Sequence, residues 1–329
     1  MHAERTILGV DIGGTKVAVG LVDGQGNILL RQRAPMNSSQ DAAAGLESVV
    51  SAVHALLADP AAQGRMPSAV GVSAAGPVDA RAGVIVNPPN IPCWSNYPLA
   101  AEIERATRLP ARLDNDANAA GLAEAIWGAG RGFASVFYVT LGTGIGTGIV
   151  LGGEIYLGRT GAAAEGGHTT IDFRGPRCKC GKRGCIEVFA AGPALARRAC
   201  ERLAEPANQS SQILALAGGK LAAVTAETVA TAWRAGDSLA EELLRETAGY
   251  LAIWLGNMID VLEPEVVVVG GGMSELISAW FDHIRGLLPE WSINSRCQEI
   301  PIRRAGYGED SGIAGAAALW YQPGRVLEP

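Results

Sequence analysis

Short apolar runs alternating with glycine-rich corners open the chain. Residues 7–10 are apolar, a DIGGTK corner begins at Asp11, residues 17–22 are apolar again, and a DGQGN turn leads into residues 28–31. Brief β-prone runs punctuated by turn residues predict an antiparallel meander. The pattern returns at a constant step of 129 residues: Ile7 meets Val136, Val10 meets Val139, Gly13 meets Gly142 and Gly24 meets Gly153. A repeat at half-chain scale predicts two similar domains facing one another. Two unrelated hairpins are the alternative.

Between and after the repeats the apolar period lengthens. Leu46, Val49, Val50, Val53, Leu56 and Leu57 fall on one face of a helix over 42–58. Strands follow at 69–73, 84–86 and 111–113, with helices at 99–107 and 119–127. The second half carries helices at 193–204, 226–235, 238–261, 277–288 and 313–320, and strands at 265–269 and 300–303. Alternating strands and helices make an α/β chain. The expected domains are 1–117, with 311–329 packing back on it, and 118–310.

Composition changes this picture only by exclusion. A net charge of −6 argues against nucleic-acid binding. No apolar run approaches the roughly 20 residues of a membrane span. The short MHAER stretch ahead of the first strand leaves no room for a secretory leader, so a cytoplasmic protein is expected.

Chemistry concentrates in one stretch. His168, Cys178, Cys180 and Cys185 follow the spacing H-x9-C-x-C-x4-C. Three thiolates and one imidazole complete a tetrahedral zinc set with no open position, which marks a structural metal. Gly181 and Gly184 let the chain turn tightly among the sulfurs. Glu165 and Glu187 bracket the stretch and, with the free ring edge of His168, are expected to face a ligand.

The glycine corners suit phosphate. Gly13, Gly14, Thr15 and Lys16, with Gly142, Thr143 and Gly144, would offer backbone N–H groups to a polyphosphate. Lys16 would neutralise developing charge, and Asp11 is placed for Mg2+. Neither corner is a Walker A or dinucleotide pattern. Gly271 and Gly272 end a buried strand and permit close approach of a nucleobase, a plain strand-to-helix turn being the alternative. Phosphoryl transfer needs a base for the hydroxyl proton, and Asp116 is the candidate. Asn90, Asn115, Glu165, His168 and Glu187 offer the mixed donors and acceptors a sugar demands.

These residues together resemble the ROK group of sugar kinases and sugar-responsive repressors. Asp11-Ile12-Gly13-Gly14-Thr15-Lys16 is similar to its first phosphate motif and Leu141-Gly142-Thr143-Gly144 to its second. Asn115-Asp116-Ala117-Asn118 resembles its catalytic stretch, Glu165-Gly166-Gly167-His168 its E-x-G-H sugar motif, and the cysteine stretch ending at Glu187 its zinc signature. The resemblance implies an actin-like ATPase (ribonuclease H-like) fold of duplicated domains with a cleft between them, ATP, Mg2+ and structural Zn2+, and a homodimer. It implies an ATP-dependent hexose kinase with glucose as the expected acceptor. N-acetylmannosamine, N-acetylglucosamine or fructose are the alternative sugars. A sugar-sensing regulator is the non-enzyme alternative, disfavoured because the phosphate motif begins at Asp11 with no room ahead of it for a DNA-binding domain.

Overall fold

The computed structural model describes residues 6–38 and 41–323, so residues 1–5 and 324–329 of the expected domains lie outside the described residues. By their contacts the residues form two units: Met1–Tyr138 with Gly148–Ala164 and Gly306–Pro329, and Val139–Thr147 with Glu165–Ala305. The sequence pattern places a boundary at 117/118 and the return at 311.

The chain runs β1 (Thr6–Ile12), β2 (Lys16–Val22), β3 (Ile28–Pro35), α1 (Ala42–Leu57), β4 (Pro67–Ala74), β5 (Val78–Asp79), β6 (Val84–Ile85), α2 (Leu99–Thr107), β7 (Ala111–Asn115) and α3 (Asp116–Ile126). It continues through β8 (Ser135–Leu141), β9 (Ile145–Leu151), β10 (Glu154–Ile155), α4 (Glu187–Ala190), α5 (Gly192–Leu203), α6 (Gln212–Leu216), α7 (Ala226–Arg234) and α8 (Ser238–Leu262). Last come β11 (Val266–Gly270), α9 (Ser274–Ser278), α10 (Phe281–Leu287), β12 (Ile302–Arg304) and α11 (Ser311–Ala318).

One sheet has the order β3-β2-β1-β4-β7 and the other β10-β9-β8-β11-β12. In the first, β2 is antiparallel to β1 and β3, whereas β1, β4 and β7 run parallel. The second repeats that plan, with β10 antiparallel to β9 and β12 parallel to β11. The 129-residue step is kept at the ends of both strands: β1 maps onto β8 and β2 onto β9 without a gap. This is the duplicated α/β plan of the actin-like ATPase (ribonuclease H-like) fold.

The central parallel strands β1 and β4 of the first sheet are buried on both faces, as strands that read as near-continuous apolar runs require. Leu8, Val10, Val19, Leu21, Val70 and Val72 pack with Val49, Val53 and Leu56 of α1 and Leu99 and Ile103 of α2. On the opposite face Ile7, Ala18 and Ala69 meet Ile313 and Ala317 of α11 and Trp320 just beyond it. Here glycine decides the spacing. A Cβ on Gly71 would lie 1.7 Å from the carbonyl oxygen of Ala316, and one on Gly9 would lie 2.2 Å from that of Ile313. The α11 backbone therefore rests directly on the strands.

Gly71→Ala should lower stability by about 1–3 kcal/mol, because α11 must lift off the sheet. Gly249→Ala is the matched control on α8, where a Cβ meets nothing within 4 Å. It should stabilise by about 0.5–1 kcal/mol through helix propensity alone. Thermal and denaturant unfolding of both variants measure the contrast.

Candidate active site

In the first unit, strand register places the carboxylates. Asp11 lies one residue from the end of β1, and its parallel partner on β4 is Ser73. Ser73 Oγ donates to Asp11 Oδ1 at 2.7 Å and reaches the Gly312 carbonyl at 3.3 Å. Gly312 itself has no room for a side chain: its Cβ would stand 2.1 Å from Asp11 Cγ. Two strands and the start of α11 thus enclose Asp11, and this burial raises its pKa, against the Ser73 bond and the Arg33 charge.

Asp116 is the first residue of α3. The helix begins here, three residues before the apolar pattern predicts, because Asn115 caps it: Asn115 Oδ1 accepts the N–H groups of Ala117 at 2.9 Å and Asn118 at 3.3 Å. Asn115 Nδ2 donates to the Gly76 carbonyl at 3.1 Å, so this amide is engaged by backbone at both ends. Burial, followed by the negative charge of Asp11, pushes Asp116 up to about 6. The Ala117 N–H, 2.9 Å from Asp116 Oδ1, pulls the other way. A carboxylate with that proton affinity suits a general base near neutral pH.

The first glycine corner is closed by the Gly13 N–H donating to the Lys16 carbonyl at 2.9 Å, and Thr15 and Lys16 are exposed at its tip. The proline-rich loop lies against it. A Cβ on Gly14 would be 2.5 Å from the Asn90 carbonyl oxygen, while the Asn90 residue is exposed. Buried Trp94 anchors that loop, its Nε1 donating to the Ala42 carbonyl at 3.2 Å.

In the second unit, Gly142 donates its N–H to the Gly144 carbonyl at 3.0 Å and accepts from the N–H of Gly192, the first residue of α5, at 2.9 Å. Gly271 must be glycine: its φ is +85° and a Cβ would fall 2.4 Å from the Leu141 carbonyl oxygen. Gly142, Thr143 and Gly272 line a cavity of about 690 Å³. Its further walls were not legible in the sequence: Gly192, Pro193, Val224, Thr225, Glu227 and Met273. Both α5 and α7 begin at this cavity, and helix N-termini present N–H groups to anions. Pro193, Val224 and Met273 add apolar surface for a flat ring. Only the Gly-Pro pair opening α5 offered a sequence signal.

Between β9 and α4 the chain has little regular structure, and the four expected metal ligands converge there. Their ligand atoms all lie within 4.8 Å of one another. Cys178 Sγ is 3.6 Å from His168 Nδ1, and Cys180 Sγ is 3.7 Å from Cys185 Sγ. Tetrahedral zinc with bonds of about 2.3 Å to sulfur and about 2.0–2.1 Å to nitrogen requires edges of about 3.8 and about 3.5 Å, which these match. Burial and the adjoining thiols push Cys185 up to about 12. Three sulfurs so placed need a cation to become thiolates together, and a coordinated metal deprotonates them. The residues therefore fit zinc, with His168 Nδ1, 3.6 Å from Cys178 Sγ, placed to be its ligand.

Glu187 opens α4 and touches both neighbours. Its Oε2 accepts the Ile145 N–H at 3.0 Å, and its Oε1 is 3.9 Å from Cys178 Sγ. A Cβ on Gly144 would come within 2.7 Å of the same carboxylate. Glu165 immediately precedes the short turn Gly166–His168. Gly167 in that turn presses against β9, its Cβ position 1.8 Å from the Ile145 carbonyl oxygen.

The sequence model of the ROK family matches residues 7–323. The chain belongs to the ROK family. It is 34% identical over 321 residues to a glucokinase of Streptomyces coelicolor, covering 97% of this chain and 99% of that one. It is 32% identical over 318 residues to an N-acetylmannosamine kinase of Escherichia coli, covering 95% and 98%. A crystal structure of a ROK family glucokinase from Streptomyces griseus, in complex with glucose and AMPPNP, superposes with a TM-score of 0.80 at 36% identity over 95% of this chain and 98% of that one.

Within the ROK chain, Asp11 and Asp116 are thus neighbours in one unit. The second unit gathers the four candidate metal ligands, Glu187 and the Gly142–Gly144 corner. Purified protein should carry close to one zinc per chain by elemental analysis. Cys180→Ser should abolish retention and weaken sugar affinity more than nucleotide affinity; a zinc-free, fully active preparation would overturn the metal assignment.

Proposed function

We propose that the protein is an ATP-dependent hexose kinase that transfers the γ-phosphoryl group of ATP to the 6-hydroxyl of glucose. The observation that carries the reading is Asp116, a carboxylate held at a helix start beside Asp11 and raised to about 6. Asp116 accepts the hydroxyl proton as the new P–O bond forms and the bond to the ADP oxygen breaks. Full-length likeness to glucokinases supports glucose as the acceptor.

The remaining roles follow the chemistry of the side chains. Asp11 would hold Mg2+, which when bound screens the charge of the phosphates. Gly13, Gly14, Thr15 and Lys16 would meet phosphate oxygens, as would Gly142, Thr143 and Gly144 at the start of α5. Gly271 and Gly272 would let the base approach, its ring lying on the apolar wall of the cavity. Asn90, Asn115, Glu165, Glu187 and His168 Nε2 would pair sugar hydroxyls. Zinc on His168, Cys178, Cys180 and Cys185 would fix the loop between Glu165 and Glu187. A cytoplasmic homodimer acting on free hexose completes the proposal; among the described residues no helix is long and apolar enough to cross a membrane.

Two tests follow. A carboxylate base works only when deprotonated, so kcat/KM should fall as pH drops below about 6 and level off above it. Asp116→Asn should lose about 10²–10⁴-fold in rate and lose that acidic limb, while retaining sugar binding. Wild-type turnover in the variant would exclude Asp116 as the base.

The likeness to N-acetylmannosamine kinases sustains a second reading of the acceptor. A site that pairs each hydroxyl rejects analogues that leave its groups unpaired. Glucose should therefore lead mannose, fructose, N-acetylglucosamine and N-acetylmannosamine in kcat/KM by coupled ADP release. An acetamido sugar or fructose in first place would replace glucose and leave the kinase reading intact.

A further inference from the structure

Trp254 lies on α8, fully buried, 86 residues beyond His168 in the chain. Its Nε1–H reaches two acceptors at once: the Gly166 carbonyl at 3.0 Å and Thr169 Oγ1 at 2.9 Å. Gly166 opens the turn Gly166–His168 and Thr169 follows it. Thr169 Oγ1 donates in turn to the Gly166 carbonyl at 2.7 Å, closing a three-membered network. Thr147 Oγ1 also accepts the Gly166 N–H at 2.9 Å. Any tilt of the turn breaks several bonds together, and a buried N–H left unpaired is costly.

The residues at the ends of this turn are the ones that matter. Glu165 precedes it and His168 closes it. An apolar ring could fill the space that Trp254 occupies, but it would leave the Gly166 carbonyl only the hydroxyl and N–H of Thr169, the neighbour at the end of the same turn. The same face of α8 braces the neighbouring elements. Thr247, Tyr250 and Trp254 are spaced for one helix face. Thr247 accepts a hydrogen bond from Arg198 of α5, and Tyr250 packs on Phe189 of α4 with ring centroids 4.9 Å apart.

We propose that Trp254 is a positioning residue for the sugar, its indole N–H orienting the turn so that Glu165 and His168 Nε2 present to the acceptor. The proposal rests on the kinase reading, in which those two groups bind sugar. It is distinct from a packing role, because packing predicts lost stability alone.

Trp254→Phe removes the N–H and keeps an aromatic ring. Thr169→Val removes the second acceptor and keeps the shape. Each folded variant should raise the glucose KM about three- to tenfold, the range of one hydrogen bond. The ATP KM should stay within about twofold, and zinc per chain should be unchanged. The double variant should be no worse than the worse single, since both act on one network. Glu165→Gln serves as the reference and should raise the glucose KM by itself. If Glu165→Gln raises it but Thr169→Val and Trp254→Phe leave it within about twofold of the parent, the positioning role is overturned. Equal rises in the ATP and glucose KM also overturn it. If Glu165→Gln has no effect, the kinase reading of Glu165 fails first and the proposal falls with it. Should Trp254→Phe not fold, Thr169→Val decides alone.

Discussion

A helix backbone lying directly on a sheet is the contact from which the chemistry of the first unit follows. Gly9 and Gly71 give up side chains in the middle of strands, at an entropic cost, so that α11 can settle against them. Once seated, α11 brings the backbone of Gly312 onto the carboxylate of Asp11. Water is displaced there, and the proton affinity of Asp11 rises. The charge of Asp11 then acts on Asp116, whose own burial already favours the proton. A packing decision in two strands is thereby transmitted to the acidity of a group on a different element.

In the second unit a bound metal would serve the corresponding end. The stretch from Glu165 to Glu187 contains only a short turn and isolated bridges, Thr170 with Cys185 and Arg177 with Arg183. So little regular structure cannot hold two carboxylates in place. Four ligands on one ion can, and the coupling of metal binding to local order is the usual result. Backbone contact adds to it where Gly167 meets Ile145 and where Glu187 takes the Ile145 N–H.

What was legible in the sequence was local. The four candidate metal ligands sit within one short stretch, so their spacing alone points to a shared site. The paired hairpins were legible because β1 and β2 recur as β8 and β9 at one fixed step. The third strand breaks that step: β10 has two residues where β3 has eight. Positive φ at Gly158, Gly161 and Ala164 interrupts extension in the segment that should continue it. The start of α3 was hidden because Asp114, Asn115, Asp116 and Asn118 read as a polar loop, although Asn115 is the cap and Asp116 already helical. The cavity walls were invisible for another reason. Gly192, Val224 and Met273 carry no reactive group and are brought together only by tertiary folding.

The repeat has one more implication, which lies in what was not copied. Position for position, Asp11 corresponds to Thr140, Thr15 to Gly144 and Lys16 to Ile145. The backbone plan is symmetric, but the charge is confined to the first copy. Duplication of a hairpin supplies two equivalent corners, and two ionisable side chains in the first make them chemically unlike. The first copy carries a carboxylate and an ammonium where the second carries Thr140 and Ile145. The molecule thus preserves its ancestry in its scaffold and its specialisation in a handful of substituents.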